Sequence, residues 1–276
     1  MTASEPVTRV RVFNTNLARV LAIEVPVKEG RPLEQGFYSV PGVPGTGAKI
    51  LIDFSDTAGA ATGALLPTGR PVDRLQIPGV GEIDVSLVDI GNAHVFVRAS
   101  DLGLRGTEGS ARLDADQELR ARLESIRGVA AERMGMIANA ARSREESPAT
   151  PILGIVSPPA SYRDENGGSV VNENEVDLVS RLMFMQQTHK TYAGTSTVCT
   201  GVASRLTGTL VHEVTRMQMR GADTVRIGHP AGVIETETQV EKTAGNEYVV
   251  RRATLGRTAR RIMEGYVFVP DAADQH

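Results

Sequence analysis

The chain has 276 residues, of which 41% are hydrophobic and 23% charged, a composition typical of globular proteins. The formal net charge of -3 argues against a general nucleic-acid binder, and a single cysteine, Cys199, excludes an internal disulfide framework. No apolar run is long enough to span a bilayer, and residues 1–6 lack the features of a signal peptide, so we expect a cytoplasmic protein.

The first third of the chain predicts short strands separated by turns. Residues 7–27 indicate two strands joined by a turn at 14–16, and residues 50–54 indicate a third. The glycine cluster at 42–49 is not a P-loop, because Ala48 separates Gly47 from Lys49 and Ile50 replaces the hydroxyl that would hold magnesium. We therefore expect tight turns there and no nucleotide site.

Residues 83–97 predict a strand pair whose turn is formed by residues 91–94. Such a turn could present Asn92 and His94 into a cleft, although a plain hairpin turn explains the same residues. Residues 113–141 predict the longest helix, because apolar residues recur there at spacings of three and four. That apolar stripe consists of Leu119, Leu123, Ile126, Ala130, Met134 and Ile137.

The remaining chain predicts further strands around a short helix. Strands are expected at 151–156, 178–185, 225–237, 247–250 and 263–269, with a loop at 158–174. The predicted order is strands, a long helix, strands, a short helix and strands. This order predicts an α+β fold in which a sheet wraps a helix.

Cys199 lies where a run of small and hydroxyl residues passes into the short helix, which extends to about residue 206. A strand–loop–helix junction of this kind can bind an anion, and a thiol at a helix N-terminus has a lowered pKa. We predict Cys199 in the first turn of the helix, facing a cleft. The alternative is a small buried thiol, the usual environment of a lone cysteine.

The order of five motifs resembles the diaminopimelate epimerase-like fold and, more closely, its PrpF family, which includes methylaconitate and 4-oxalomesaconate isomerases. The motifs are VRVFNTN at 10–16, GVPGTGA at 42–48, LLPTG at 65–69, GNAH at 91–94 and the stretch 189–203. The resemblance implies two half-barrel domains that each wrap a central helix, with the active site between them and no metal or organic cofactor.

The resemblance also implies roles for individual residues. Cys199 would be the catalytic proton-transfer group. The substrate-binding residues would be Asn92, His94, His189, Lys190, Thr200 and Gly201, the last two forming an anion cradle. His189 is equally well explained as a surface turn residue. His212 and His229 are interpreted as structural, because neither has metal-type spacing with another ligand.

One departure from the family pattern concerns the first domain. Members carry a segment with a central helix and a lysine before the strand that starts here near Val7. We therefore expect a truncated first domain at residues 1–80 and a second domain at 81–276, whose last strand returns to the first. Exposed strand edges in such a remnant predict either a homodimer or a missing N-terminal segment as the covering partner.

The predicted function is a cofactor-independent isomerase. It would move a double bond by proton transfer in an unsaturated di- or tricarboxylic acid of the methylaconitate or oxalomesaconate type, with no nucleic-acid or membrane partner. The alternative is a non-catalytic or degenerate carboxylate-binding or assembly protein of the same fold. Without the first-domain lysine, the chain alone is expected to have little isomerase activity.

Overall fold

Strands dominate the fold of residues 3–245 and 247–268, the part of the chain that the computed structural model describes. The first strands are β1 (Val7–Asn14), β2 (Arg19–Lys28), β3 (Arg31–Pro32), β4 (Ile50–Asp53), β5 (Asp73–Ile77), β6 (Gly81–Ile90) and β7 (Asn92–Arg98). Next come helices α1 (Ser110–Ala115), α2 (Gln117–Arg133) and α3 (Ser143–Glu146), then strands β8 (Ile152–Ser157), β9 (Tyr162–Arg163), β10 (Val170–Val171), β11 (Leu178–Phe184) and β12 (Gln187–Thr188). The chain continues with α4 (Gly194–Ala203), α5 (Leu210–Val214), β13 (Thr224–His229), β14 (Gly232–Lys242) and β15 (Tyr248–Arg257).

Most strands belong to one 13-stranded sheet. Its main path is β1-β2-β4-β15-β14-β13-β11-β8-β7-β6-β5, with β3 and β12 at its sides. The pairs β7–β8 and β11–β13 are parallel, and the other pairs are antiparallel. Because β4 pairs with β15, the N-terminal strands continue the same sheet as the last strand.

The sheet separates two helices. On one side α4 packs against β6, β7, β14 and β15, and on the other α2 packs against β5 and β8. The side chains of β6 alternate between these cores: Val88 and Ile90 lie in the α4 core, whereas Val85 and Leu87 lie in the α2 core. This arrangement confirms the predicted α+β fold with a helix enclosed by sheet.

The predicted long helix at 113–141 is shorter than expected at both ends. Asp116 adopts an extended conformation and caps α2, its side chain accepting a hydrogen bond from the Leu119 N–H at 2.9 Å. At the other end Gly135 has φ +72°, in the left-handed region that ends helices. The buried stripe from Leu119 to Met134 is confirmed.

The strands predicted at 7–27, 50–54, 151–156 and 178–185 are confirmed. The strand predicted at 263–269 is wrong for residues 263–268, which are exposed and pair with no strand, while Val269 lies outside the described residues. The predicted division at residue 80 falls in the turn between β5 and β6, and the two-domain organisation stays a prediction. Within the described residues, no helix combines the length and apolarity needed to cross a bilayer.

Candidate active site

The N-terminus of α4 presents unpaired backbone donors. Ala193 precedes the helix in an extended conformation, and the first helical bond runs from the Thr197 N–H to the Ala193 carbonyl at 2.9 Å. None of the hydrogen bonds among the described residues uses the N–H groups of Gly194, Thr195 or Ser196. Gly194 and Thr195 are partly exposed, whereas Ser196 is buried, so the first two amides and the helix dipole are suited to bind an anion.

Two side chains of β7 hold this helix end in place. The Asn92 Nδ2 donates to Thr195 Oγ1 at 3.0 Å, and His94 Nε2 lies 2.8 Å from Ser196 Oγ. His94 Nδ1 lies 2.8 Å from the Asn92 carbonyl oxygen, which can only accept. Nδ1 therefore carries the proton, and the Ser196 hydroxyl donates to Nε2.

His94 is fully buried and neutral. Burial lowers its pKa to about 4, so the ring is uncharged at neutral pH. The predicted direct contact between His94 and substrate has no support in this arrangement, because the ring has no exposed surface. Its place in the structure is that of a positioning residue for Ser196.

A single glycine lets β7 approach α4. Gly91 has φ +69°, and a Cβ built on it would lie 3.2 Å from the Thr195 Cβ, so a side chain there would crowd the helix. The predicted turn of four residues is in fact one residue long, since Ile90 pairs directly with Asn92. Asn92 and His94 therefore belong to β7, where their side chains are aimed at α4.

Arg257, at the end of β15, lies beside the same helix end. A Cβ built on Gly194 would be 2.8 Å from its Nη2. Its Nη1 donates to the Gly256 carbonyl at 3.0 Å, and none of the ion pairs among the described residues includes it. Burial lowers the pKa of Arg257 from its ordinary value, an effect that nearby Tyr38 opposes. A partly buried guanidinium without a carboxylate partner makes this region attractive to an anion.

A cavity of about 240 Å³ opens next to Arg257 and the residues that lead into α4. Its polar lining includes Thr191, Tyr192, His229 and Arg257. His229 comes from β13 and Arg257 from β15, strands that the sheet brings to one end of α4.

The prediction that Cys199 lies in the first turn of the helix is wrong. It is the sixth residue of α4, has no exposed surface, and its Sγ lies 3.8 Å from the Val88 carbonyl oxygen. Burial, followed by the charge of Asp89, raises the pKa of the thiol well above its ordinary value. The small residues before Cys199 form the start of the helix itself, which places the thiol in the core and out of reach of a ligand.

Thr200 and Gly201 are not an anion cradle either. Both are fully buried, Thr200 Oγ1 lies 2.9 Å from the Tyr192 hydroxyl, and Gly201 packs against β14. Their amides belong to the interior turns of α4, where helical hydrogen bonds occupy them. The exposed amides without a hydrogen-bond partner among the described residues belong instead to Gly194 and Thr195.

His189 and Lys190 lie on the segment between β12 and α4. Lys190 is exposed, and His189 is half-buried, its Nδ1 accepting a hydrogen bond from the Thr191 N–H at 3.2 Å. Their substrate-binding role stays a prediction. Arg257 and His229 were not predicted as site residues, because no local motif surrounds them and only the sheet order brings them together.

Comparison with known proteins identifies the family. The profile of the family described as "PrpF protein" matches residues 1–270. The chain belongs to the PrpF family. It is 49% identical over 270 residues to the 3-methylitaconate isomerase of Eubacterium barkeri, covering 98% of this chain and 69% of the relative. It is 35% identical over 269 residues to the 2-methyl-aconitate isomerase of Shewanella oneidensis, covering 96% and 66%.

A solved structure of methylitaconate-delta-isomerase matches this PrpF-family chain with a TM-score of 0.89 and 49% identity, covering 97% of this chain and 67% of that one. These findings confirm the predicted family and fold, and they support a carboxylate isomerase function. The chain spans about two thirds of the length of these proteins. The predicted truncation of the first domain stays a prediction.

Proposed function

We propose that this protein is a cofactor-independent isomerase that moves a double bond by proton transfer in an unsaturated di- or tricarboxylic acid of the methylitaconate or methylaconitate type. The observation that carries the proposal is the anion site at the start of α4, where the amides of Gly194 and Thr195 have no hydrogen-bond partner among the described residues. The names of the relatives support the same reaction class.

The chemistry needs such a site because negative charge develops as the proton leaves. Removing a proton from a carbon conjugated to a carboxylate spreads charge onto the carboxylate oxygens. Fixed N–H donors aimed at those oxygens stabilise this charge more than they stabilise the bound substrate, and they need no reorganisation during the reaction. Asn92 and His94 contribute by fixing the Thr195 and Ser196 side chains, which keeps the donors in place.

The test places a charge at the helix end. Asn92→Asp keeps the shape of the side chain but puts a carboxylate beside Thr195, where it would repel a bound carboxylate. We expect dicarboxylate affinity to fall about tenfold or more. The same charge favours the helix dipole, so thermal stability should stay equal or rise.

Affinity is measured by calorimetry on the 276-residue chain with methylsuccinate, a saturated dicarboxylate that cannot isomerise. Turnover is followed by NMR as solvent deuterium exchange into 3-methylitaconate. Asn92→Ala is the uncharged control, with a smaller loss of affinity. Equal affinity of wild type and Asn92→Asp would contradict the site. Exchange above the uncatalysed background supports the isomerase even where it is slow, as expected for this chain alone. Binding with exchange no faster than that background would contradict the isomerase and support a carboxylate binder.

A further inference from the structure

The cavity beside Arg257 is lined by hydrogen-bond donors and apolar side chains. Arg257 and His229 contribute nitrogen donors, Thr191 and Thr258 contribute hydroxyls, and Val40 and Ile234 form apolar wall. None of the described residues that line it is acidic. A ligand that fits this lining is an anion with a short hydrocarbon part.

His229, which lines this cavity, has an unused donor. Its Nδ1 accepts a hydrogen bond from the Ala231 N–H at 3.2 Å, so in the neutral ring the proton lies on Nε2. The residue is 1% exposed, and its Nε2 has no hydrogen-bond partner among the described residues. A buried N–H without an acceptor costs free energy unless a ligand supplies one.

The protonation state of His229 follows from its surroundings. Burial, followed by the charges of Arg181 and His189, lowers its pKa to about 3. The ring is therefore neutral near pH 7 and acts as a donor without adding charge, which leaves Arg257 as the charged residue of the lining.

The cavity and the α4 amides adjoin each other. Arg257 lines the cavity and its Nη2 also lies next to Gly194 at the helix start. Thr191 and Tyr192, which line the cavity, lead directly into the helix. Arg257 therefore lies at the boundary between the cavity and the helix start.

We propose that this cavity is a second carboxylate subsite that selects dicarboxylates over monocarboxylates. The first carboxylate binds the amides of Gly194 and Thr195, and the second binds Arg257 and the Nε2–H of His229. The proposal rests on the proposed function, because it assumes that the first carboxylate binds at α4.

The test compares two ligands on the 276-residue chain. Methylsuccinate has two carboxylates, and in its half-amides one of them is replaced by an uncharged amide of similar shape. We expect methylsuccinate to bind wild type about tenfold or more tightly than either half-amide, since a charge-assisted contact is lost.

Arg257→Met removes the charge and keeps the length of the side chain. This variant should lose the preference and bind methylsuccinate and the better half-amide with nearly equal affinity. Arg257→Lys should restore part of the preference. His229→Phe should weaken methylsuccinate binding several-fold and leave half-amide binding unchanged.

The matched control is Arg251→Met, an exposed arginine of the same strand whose Nε lies 2.8 Å from Glu241. It should change neither affinity. If wild type and Arg257→Met show the same preference, the second subsite is wrong and the site at α4 stands. If wild type binds neither ligand, both proposals fail. A cooperative urea-unfolding transition shows that each variant is folded.

Discussion

The thiol of Cys199 faces β6, with its Sγ 3.8 Å from the Val88 carbonyl oxygen, in the same buried core cluster as Ile90 and Val202. Only the thiolate is a nucleophile or a base, and burial raises the pKa of this thiol well above its ordinary value. A thiol in this position is a small apolar side chain of the core.

We predict that Cys199→Ala leaves methylsuccinate affinity unchanged and lowers the free energy of unfolding by about 1–2 kcal/mol, because it opens a small cavity. In the native wild type, iodoacetamide should label the thiol only at the rate of unfolding. The free energy of unfolding is measured by urea titration, and labelling by mass spectrometry of timed samples. Complete labelling within minutes, or a loss of binding beyond the effect on stability, would mean that a ligand reaches Cys199.

At the scale of the element, the position of α4 depends on its close approach to β14. A Cβ built on Gly201 would lie 2.5 Å from Thr236 Cγ2 and 2.7 Å from Thr238 Oγ1. Both threonines are buried, and Thr236 Oγ1 donates to the Thr254 carbonyl at 2.8 Å, so they have little room to move. A side chain at residue 201 must therefore shift the helix.

Gly201→Ala should lower the free energy of unfolding by about 1–3 kcal/mol, even though alanine favours a helix over glycine by about 1 kcal/mol. It should also weaken methylsuccinate binding, because the amides of Gly194 and Thr195 move with the helix. Gly221→Ala is the matched control, since a Cβ there meets no atom within 4 Å. Unfolding titrations of the two variants decide: equal stabilities would show that the approach of α4 to β14 is not tight.

The start of α4 explains why the site could be predicted only in part. The residue before the helix is Ala193, which is not a favoured N-cap type, and Gly, Thr and Ser fill the first turn. Such a run indicates a loop. The predicted helix therefore started several residues too late, which placed Cys199 in its first turn. Asn92 was predicted to bind substrate, and this role stays a prediction; its side chain donates to Thr195 Oγ1 at the start of α4.

At the scale of the whole molecule, the sheet order was beyond prediction from the sequence. The alternation of apolar residues defines single strands such as β1, β2 and β8, but it does not state which strands become neighbours. β4 pairs with β15, about 200 residues later in the chain, and β13 parallels β11. Arg257 and His229 reach the site through these long-range pairs, so no local pattern reveals them.

Two buried histidines, His94 and His229, are neutral in the native state, which gives the molecule a defined response to acid. Burial lowers the pKa of His94 to about 4 and is the main cause that lowers that of His229 to about 3. In the unfolded chain a histidine has a pKa of about 6.5. Between these pKa values the unfolded state binds more protons than the native state. The contribution of the two histidines to the free energy of unfolding is therefore fully present above about pH 6.5 and is lost as the pH decreases.

We predict that the free energy of unfolding falls between pH 7 and pH 5 by about 2 kcal/mol for each of these two histidines, before most carboxylates titrate near pH 4. The measurement is a series of urea titrations at pH 7, 6 and 5. His94→Gln cannot titrate, so this variant should be less stable at pH 7, because it alters the Ser196 contact, yet lose about 2 kcal/mol less on acidification than wild type. If wild type and His94→Gln lose stability in parallel across this range, His94 takes up its proton as easily in the native state as in the unfolded chain. The buried, neutral ring that holds Ser196 at the start of α4 would then be the wrong description of this site.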